Sequence, residues 1–309
     1  MIVDASVIVV NRNTKELLRK CLDSIYKNTN NITFEVIVVD NDSSDGSVTM
    51  VKNEFRRVKT ITNKENLGFA RANNIGIRKS RGKFIVALNP DTVVLSNAIN
   101  NLIDFMNKQS GDIMVGGKIL NFDGSSQCSC WRFPTFLSKY LAQALFLIKY
   151  IRNPISEKMK MNILGRDQVQ EVDWVSGCFF GVRRNTMLDL GLFDESIFLY
   201  NEDVDLCLRL RKLGGKCLYY RRSMIKHFTG APRSERDNTR FRIVAGYKST
   251  VYFFKKHRGK MYAYLFHLTV KITWLLDFTI LLILNAITFF KVPKMIDKMK
   301  LLGFLVIYA

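Results

Sequence analysis

At 309 residues the chain exceeds the usual single compact domain, so its length favours a catalytic or binding unit with an appended segment. Its 47 Lys and Arg against 27 Asp and Glu give a formal charge of +20, which favours an anionic partner without choosing among nucleic acid, a nucleotide and an anionic leaflet. The six cysteines (Cys21, Cys128, Cys130, Cys178, Cys207, Cys217) form no Cys-x-x-Cys pair, which excludes a routine structural zinc site and leaves them as reduced, mostly buried thiols.

The chain opens directly into a strand-like run with no cationic leader, apolar core and small-residue cleavage site, so its first half is expected in the cytosol. Ala5 to Val10 is a β-branched run of the kind buried on both faces of a parallel sheet. Asn13, with Glu16 three positions on, predicts a capped helix carrying Leu17, Leu18, Cys21, Leu22 and Ile25 at helical spacing. The pattern then repeats. Strands are expected at Phe34 to Val39, Lys59 to Thr62 and Lys83 to Leu88; helices at Ser43 to Phe55, Ala70 to Lys79 and Ser96 to Lys108. Such alternation implies parallel βαβ units, with ligands beyond the carboxyl ends of the strands where the strand order reverses. Asn11, Asp40 and Asn89 to Asp91 fall at those ends.

Beyond Ile113 the alternation weakens. A strand at Ile113 to Leu120, a turn at Asn121 to Gly124, a helix at Phe136 to Ile151 and a strand at Asp173 to Val182 are expected. A short helix from Asn185, an acidic helix from Glu202 to Leu213 and a strand at Lys216 to Tyr220 close the globular unit near residue 235. The expected domains are therefore 1–235, with halves 1–110 and 111–235, and a basic, apolar helical segment over 236–309. In that segment a basic helix spans Asp237 to His257, and Ile272 to Phe290 carries Asp277 as its one charge. Lysines and arginines flank the apolar stretch on both sides, which argues for an interfacial helix, or a re-entrant hairpin with Leu301 to Tyr308, over simple crossing. A buried helix at a homodimer interface is the other use of such a stretch.

Two acidic turns carry the chemistry. Leu88-Asn-Pro-Asp-Thr92 ends a buried strand and delivers Asp91 rigidly to the crevice, where it could bind Mg²⁺ or Mn²⁺ with help from Asn89, or simply cap a helix. Glu202-Asp203 opens the acidic helix, as a proton acceptor or as a complement to the helix N-terminus. Asp40 at its strand end suits ligand contact, whereas Ser43, Ser44 and Asp45 suit capping. Gly68 permits close backbone approach, and Arg71 could offer charge to a phosphate. His227, in a loop after the last core strand, could complete a metal site. Trp174 is either a wall for a sugar ring or a core aromatic, and Asp194 and Asp205 read as structural.

Six segments, in order, resemble the family 2 glycosyltransferases, particularly the rhamnosyltransferase-like branch: Ser6-Val-Ile-Val-Val-Asn-Arg12, Val38 to Ser47, Asn66 to Gly76, Leu88 to Thr92, Trp174 to Gly177, and Phe193-Asp-Glu through Asp205. The resemblance implies a GT-A fold, a Rossmann-like, mostly parallel α/β sheet flanked by helices. It implies an inverting hexosyltransferase taking a nucleotide diphosphate sugar, best guess dTDP-L-rhamnose with a UDP-hexose next. By similarity Val10, Asn11, Asp40, Asn66 and Asn74 form the nucleotide pocket, Asn89, Asp91 and His227 hold the metal, Trp174 and Gly177 face the acceptor, Asp203 is the base and Glu202 positions the acceptor. Asn89 stands where the family's metal motif has an acid, which removes one charge.

The expected partners are the donor, a glycan or glycolipid acceptor and an anionic membrane surface, at the cytoplasmic face of the cell membrane as a peripheral or monotopic protein. A basic nucleic-acid-binding protein and an inactive membrane scaffold are the rivals; the first is disfavoured because Lys and Arg concentrate around the apolar tail.

Overall fold

The computed structural model describes residues 3–143, 169–228, 239–287 and 293–308. The chain divides into two compact units: Met1–Phe133, Lys160–Phe198 and Glu202–Arg236, and separately Pro134–Met159, Leu199–Asn201 and Asp237–Ala309.

The first unit begins β1 (Ala5–Asn11), α1 (Lys15–Asn28), β2 (Phe34–Asn41), α2 (Ser47–Glu54), β3 (Lys59–Asn63), α3 (Gly68–Arg78), β4 (Phe84–Leu88), β5 (Thr92–Val94) and α4 (Ala98–Asn107). It continues with β6 (Ile113–Leu120), β7 (Ser126–Gln127) and β8 (Cys130–Trp131); the second unit then contributes α5 (Phe136–Gln143). The first unit resumes with β9 (Val169–Val172), β10 (Trp174–Val175), β11 (Phe179–Arg183), α6 (Arg184–Asp189), α7 (Glu202–Lys212) and β12 (Lys216–His227).

The main sheet runs β3-β2-β1-β4-β11-β6-β12-β5. β3, β2, β1 and β4 are mutually parallel, as the apolar runs imply, and β11 lies antiparallel between β4 and β6. The chain winds outward from β1 to β3 and then returns to place β4 on the other side of β1, which puts the switch point between β1 and β4. Alternate residues of β1 serve opposite faces. Val7 and Val9 pack with Leu18, Leu22, Met50, Leu102 and Met106 of α1, α2 and α4. Ile8 packs with Ala72 and Ile77 of α3, Met187 of α6 and Leu206 and Leu210 of α7. Each such fully buried Val, Leu, Ile or Met side chain contributes about 1.5–3 kcal/mol relative to exposure.

Three local expectations are corrected. Asn13 does not cap α1: it sits at φ 51°, and its Oδ1 accepts from the N–H of Ser44. Asp45 covers that helix start instead, accepting the Lys15 N–H at 2.8 Å. The expected strand from Asp173 to Val182 is broken. β10 pairs with β8 in a separate two-stranded sheet, Ser176 to Cys178 turn away, and β11 then joins the main sheet.

The last strand is longer than expected. β12 runs beside β6 from Lys216 to Tyr220, bulges over Arg221 to Ser223, and resumes at Met224, so that its second half also pairs antiparallel with β5. The bulge is anchored on α4: Ser223 Oγ donates to the Ala98 carbonyl at 2.8 Å, and Asn101 Nδ2 donates to the Arg222 carbonyl at 3.0 Å. Gly117 makes room for it, since a Cβ there would lie 2.5 Å from the Ser223 carbonyl oxygen.

In the second unit, α5 covers the described part of the helix expected to reach Ile151; the remainder, like the domain end near residue 235 and Thr288 to Phe290, lies outside the described residues. Then come α8 (Thr239–Arg258), α9 (Lys260–Ile287) and α10 (Pro293–Tyr308). α9 is long and apolar enough, by length and composition, to cross a membrane. Lys271 Nζ donates to the carbonyls of Leu305 (3.3 Å) and Val306 (2.7 Å), tying α9 to the end of α10. Leu276, Ile280, Ile283 and Ile287 leave an apolar stripe of α9 exposed.

Candidate active site

At the carboxyl end of β1, Asn11 stands in register with Asp40 of β2 and donates to it, Nδ2 to Oδ2 at 2.8 Å. Asn11 also donates to Ser43 Oγ at 3.1 Å, and Asp40 Oδ1 accepts the Ser43 N–H at 2.9 Å. Both residues are buried, and Val10 beside them is half-buried. Asn66 and Asn74 are engaged within the protein. Asn66 Oδ1 accepts the Gly68 N–H at 3.1 Å, while Asn74 exchanges hydrogen bonds with both backbone groups of Phe193 and donates to Glu195 at 3.0 Å. Both hold neighbouring backbone in place. Gly68, at φ 79°, does allow a close approach, but to protein: a Cβ would lie 2.5 Å from the Phe198 carbonyl oxygen. Arg71 lies 3.8 Å from Glu195.

His227 is not in a loop. It is the last residue of β12, opposite Thr92, and its Nε2 lies 3.3 Å from Asp91 Oδ1. The Phe228 N–H donates to the Asp91 carbonyl at 2.9 Å, which fixes the two segments together. On the far side of the ring, Nδ1 lies 3.1 Å from Gln127 Oε1 of β7. With Nδ1–H donating to Gln127, the Nε2 lone pair faces the carboxylate, an arrangement that suits a shared cation. Carboxylate oxygen and imidazole nitrogen are competent ligands for Mn²⁺ or Mg²⁺, and a pair of protein donors leaves coordination positions for a diphosphate and water. Among the described residues no cluster of three or more His, Cys, Asp and Glu side chains could hold a metal. Asn89 begins the same turn, with its carbonyl accepting from Thr92 Oγ1 at 2.7 Å.

The second acidic turn meets the first through one short segment. The Cys178 carbonyl accepts the Asn89 N–H at 3.0 Å, while its neighbour Gly177 donates its N–H to Asp203 Oδ2 at 2.9 Å. Asp203 Oδ1 accepts the Val204 N–H at 2.9 Å. Burial holds the Cys178 thiol well above its ordinary range, and the carboxylates of Asp91 and Asp203 push it the same way, so both act on one sulfur. Asp203 is half-buried and reachable; Glu202 is buried. Burial and the adjacent Asp203 push the Glu202 carboxyl up to about 8, which keeps it protonated near neutrality. Asp205 forms a buried ion pair with Arg209 at 2.8 Å, and Asp194 accepts the Ser196 N–H at 2.9 Å, both within the fold.

Trp174, three residues before Gly177, is half-buried and stacks on Trp131 with ring centroids 4.3 Å apart and planes 20° from parallel. Its Nε1 donates to the Arg132 carbonyl at 3.0 Å, leaving a paired indole surface beside the segment that holds Asp203. Gln127 and Trp131 were not legible as site residues. Neither sits in a recognisable motif, and each gains its position only through strand pairing.

Comparison with known proteins bears on the fold and the family. Residues 6–163 match the model of the family described as Glycosyl transferase family 2. The N-acetylglucosaminyl-diphospho-decaprenol L-rhamnosyltransferase of Mycobacterium tuberculosis is 28% identical over 236 residues, covering 72% of this chain and 76% of the relative. Rhamnosyltransferase WbbL of Escherichia coli is 24% identical over 221 residues, covering 69% and 79%. Among solved structures, mannosyltransferase PcManGT from Pyrobaculum calidifontis, in complex with GDP-Man and Mn²⁺, superposes with TM-score 0.53 at 15% identity, covering 99% of this chain and 86% of that one; the likeness is one of fold.

Proposed function

The chain belongs to glycosyl transferase family 2 and is a glycosyltransferase of GT-A fold, and from that premise we propose that it is an inverting enzyme moving a sugar, best dTDP-L-rhamnose, onto a hydroxyl of a lipid-linked glycan. The observation that carries this reading is the Gly177-Cys178 segment, which ties the Asp91 turn on one side and Asp203 on the other. The donor and acceptor classes draw on the rhamnosyltransferase relatives, one of which is named for a decaprenol-linked substrate.

In this reading Asn11 and Asp40, with Val10, bind the nucleoside. Asn66 and Asn74 hold the surrounding loops. Asp91 and His227, with Asn89 on the same turn, would hold Mg²⁺ or Mn²⁺, whose chemistry is to neutralise charge on the leaving diphosphate. Asp203 takes the proton of the acceptor hydroxyl as that oxygen bonds to the anomeric carbon and the bond from that carbon to the diphosphate breaks. A single displacement inverts the configuration. Protonated Glu202 leaves the proton-accepting role to Asp203 and keeps a donor for positioning the acceptor. Trp174, on its Trp131 partner, offers a face for the acceptor sugar, next to Gly177.

The exposed apolar stripe of α9 and the basic end of α8, Lys255 to Arg258, support attachment to the cytoplasmic membrane surface as a peripheral or monotopic protein. The deciding experiment is transfer from a panel of nucleotide sugars to a polyprenyl-diphosphate-linked N-acetylglucosamine acceptor. Product of inverted anomeric configuration from dTDP-L-rhamnose supports the proposal. Product from a UDP-hexose alone replaces the donor, and retained configuration removes Asp203 from the base role.

A further inference from the structure

At the amino end of β4, away from the proposed donor site, a cavity of about 350 Å³ is lined by Arg81, Gly82, Lys83, Arg183, Arg184 and Asn185. Four of its six lining residues are cations and none is an acid. β4 is five residues long, so this end lies about 17 Å along the strand from the Asn89 turn.

The cations are arranged rather than merely clustered. Arg183 Nη2 donates to the carbonyls of Met106 (2.9 Å) and Gln109 (2.5 Å), and its guanidinium lies 5.4 Å from the centroid of the Phe84 ring. Lys83 Nζ donates to Asn107 Oδ1 at 2.7 Å and lies 5.1 Å from the same centroid. Arg184 differs: its backbone N–H is satisfied by the Lys83 carbonyl, but its Nε is buried and finds no acceptor among the described residues. Gly82 permits the backbone to press against β1, since a Cβ there would collide with the Ser6 nitrogen. The nearby acids are already engaged. Glu35 accepts from Ser6 Oγ and the Arg81 N–H, both at 2.6 Å, and Asp4 accepts from Thr33 at 2.7 Å. A buried guanidinium N–H without an acceptor, beside three further cations and an amide, has the chemistry of an anion receptor.

We propose that this cavity binds a phosphate-bearing anion at a second site, independent of sugar transfer. Phosphate oxygens accept from the Arg184 guanidinium and draw Arg81 and Lys83 inward; the anion is either free phosphate or an anionic lipid headgroup.

The test uses the full chain. Inorganic phosphate is titrated calorimetrically into the parent protein, Arg184→Gln, Lys83→Gln and, as a control for lost charge, Lys52→Gln on the exposed side of α2. At least about fivefold weaker binding in the first two variants, with Lys52→Gln within about twofold of the parent, supports the site; Lys83 is exposed, so Lys83→Gln carries the test if Arg184→Gln fails to fold. Equal weakening in Lys52→Gln, or none in the cavity variants, overturns it. Flotation with phosphatidylglycerol and phosphatidylcholine vesicles then separates the sources. Retention on phosphatidylglycerol that falls in the cavity variants assigns the headgroup, whereas weaker phosphate binding with unchanged retention assigns the soluble ion.

Discussion

Asp203 grips the backbone of Gly177 at 2.9 Å, one residue before the carbonyl that holds Asn89, so the proposed base and the Asp91 turn share a single peptide support. That bond leaves the carboxylate oriented without neutralising it. Asp203→Asn keeps a hydrogen-bonding side chain of the same size but loses the proton acceptor. Transfer is expected to fall by about 10²–10⁴ with donor affinity within about twofold, measured by steady-state assay and nucleotide-sugar binding.

Glu202 gives a pH signature. Its carboxyl titrates near 4.5 in the unfolded chain and is raised to about 8 in the folded one. Between those values the folded state binds more protons, so this group makes stability fall as pH rises. Glu202→Gln removes the dependence. Urea midpoints compared at pH 5 and pH 8 are expected to converge in the variant, with a gain of roughly 2–4 kcal/mol at pH 8 relative to the parent; an unchanged slope would show that Glu202 ionises freely.

The Asp91 and His227 pair predicts metal dependence. Chelation is expected to lower transfer at least about tenfold, with Mn²⁺ or Mg²⁺ restoring it, and His227→Ala to raise the metal concentration needed for half-maximal rate by about 10–100-fold. Gln127→Ala, which frees the far side of the ring, is expected to shift the same concentration by less while leaving the rate at saturating metal near the parent value.

Asn74 is a test of wall against ligand. Asn74→Ala strips buried Phe193 of both its side-chain partners, which destabilises by roughly 2–4 kcal/mol from unsatisfied backbone groups. A lower thermal midpoint with donor affinity little changed in the folded fraction separates support of the loop from direct contact.

The apolar stripe on α9 predicts vesicle binding. Leu276→Asn with Ile283→Asn replaces two side chains that are 57% and 54% exposed, so folding is expected to be little affected while flotation with anionic vesicles falls at least about tenfold.

The parallel half of the sheet was legible because strands covered on both faces must be apolar throughout, and Ala5 to Val10 and Phe34 to Val39 carry that pattern in unbroken runs. Asp40 near the end of β2, Asp91 in the turn after β4 and Asp203 in the first turn of α7 were legible as candidates because each flanks or caps a regular element. β5 was not: Thr92–Val94 is too short to carry a pattern and becomes a strand only when the far half of β12 arrives beside it. Asn13 matched a capping signature, but the long-range Asp45 carboxylate reaches the helix start first. Trp131 depends on pairing with a distant segment, which local spacing does not encode, and Gln127 lies on a two-residue hairpin arm too short to carry a pattern.

The bulge at Arg221 to Ser223 makes the proposed metal pair a matter of counting. Side chains alternate across a strand, so shortening that detour by one residue, taken up as a one-residue slip of Met224 to His227 along β5 and β6, would turn His227 to the opposite side of the sheet, away from Asp91, with every residue of the pair still present in the sequence. Within this fold, the meeting of Asp91 with His227 rests on the register set by a segment that touches neither side chain.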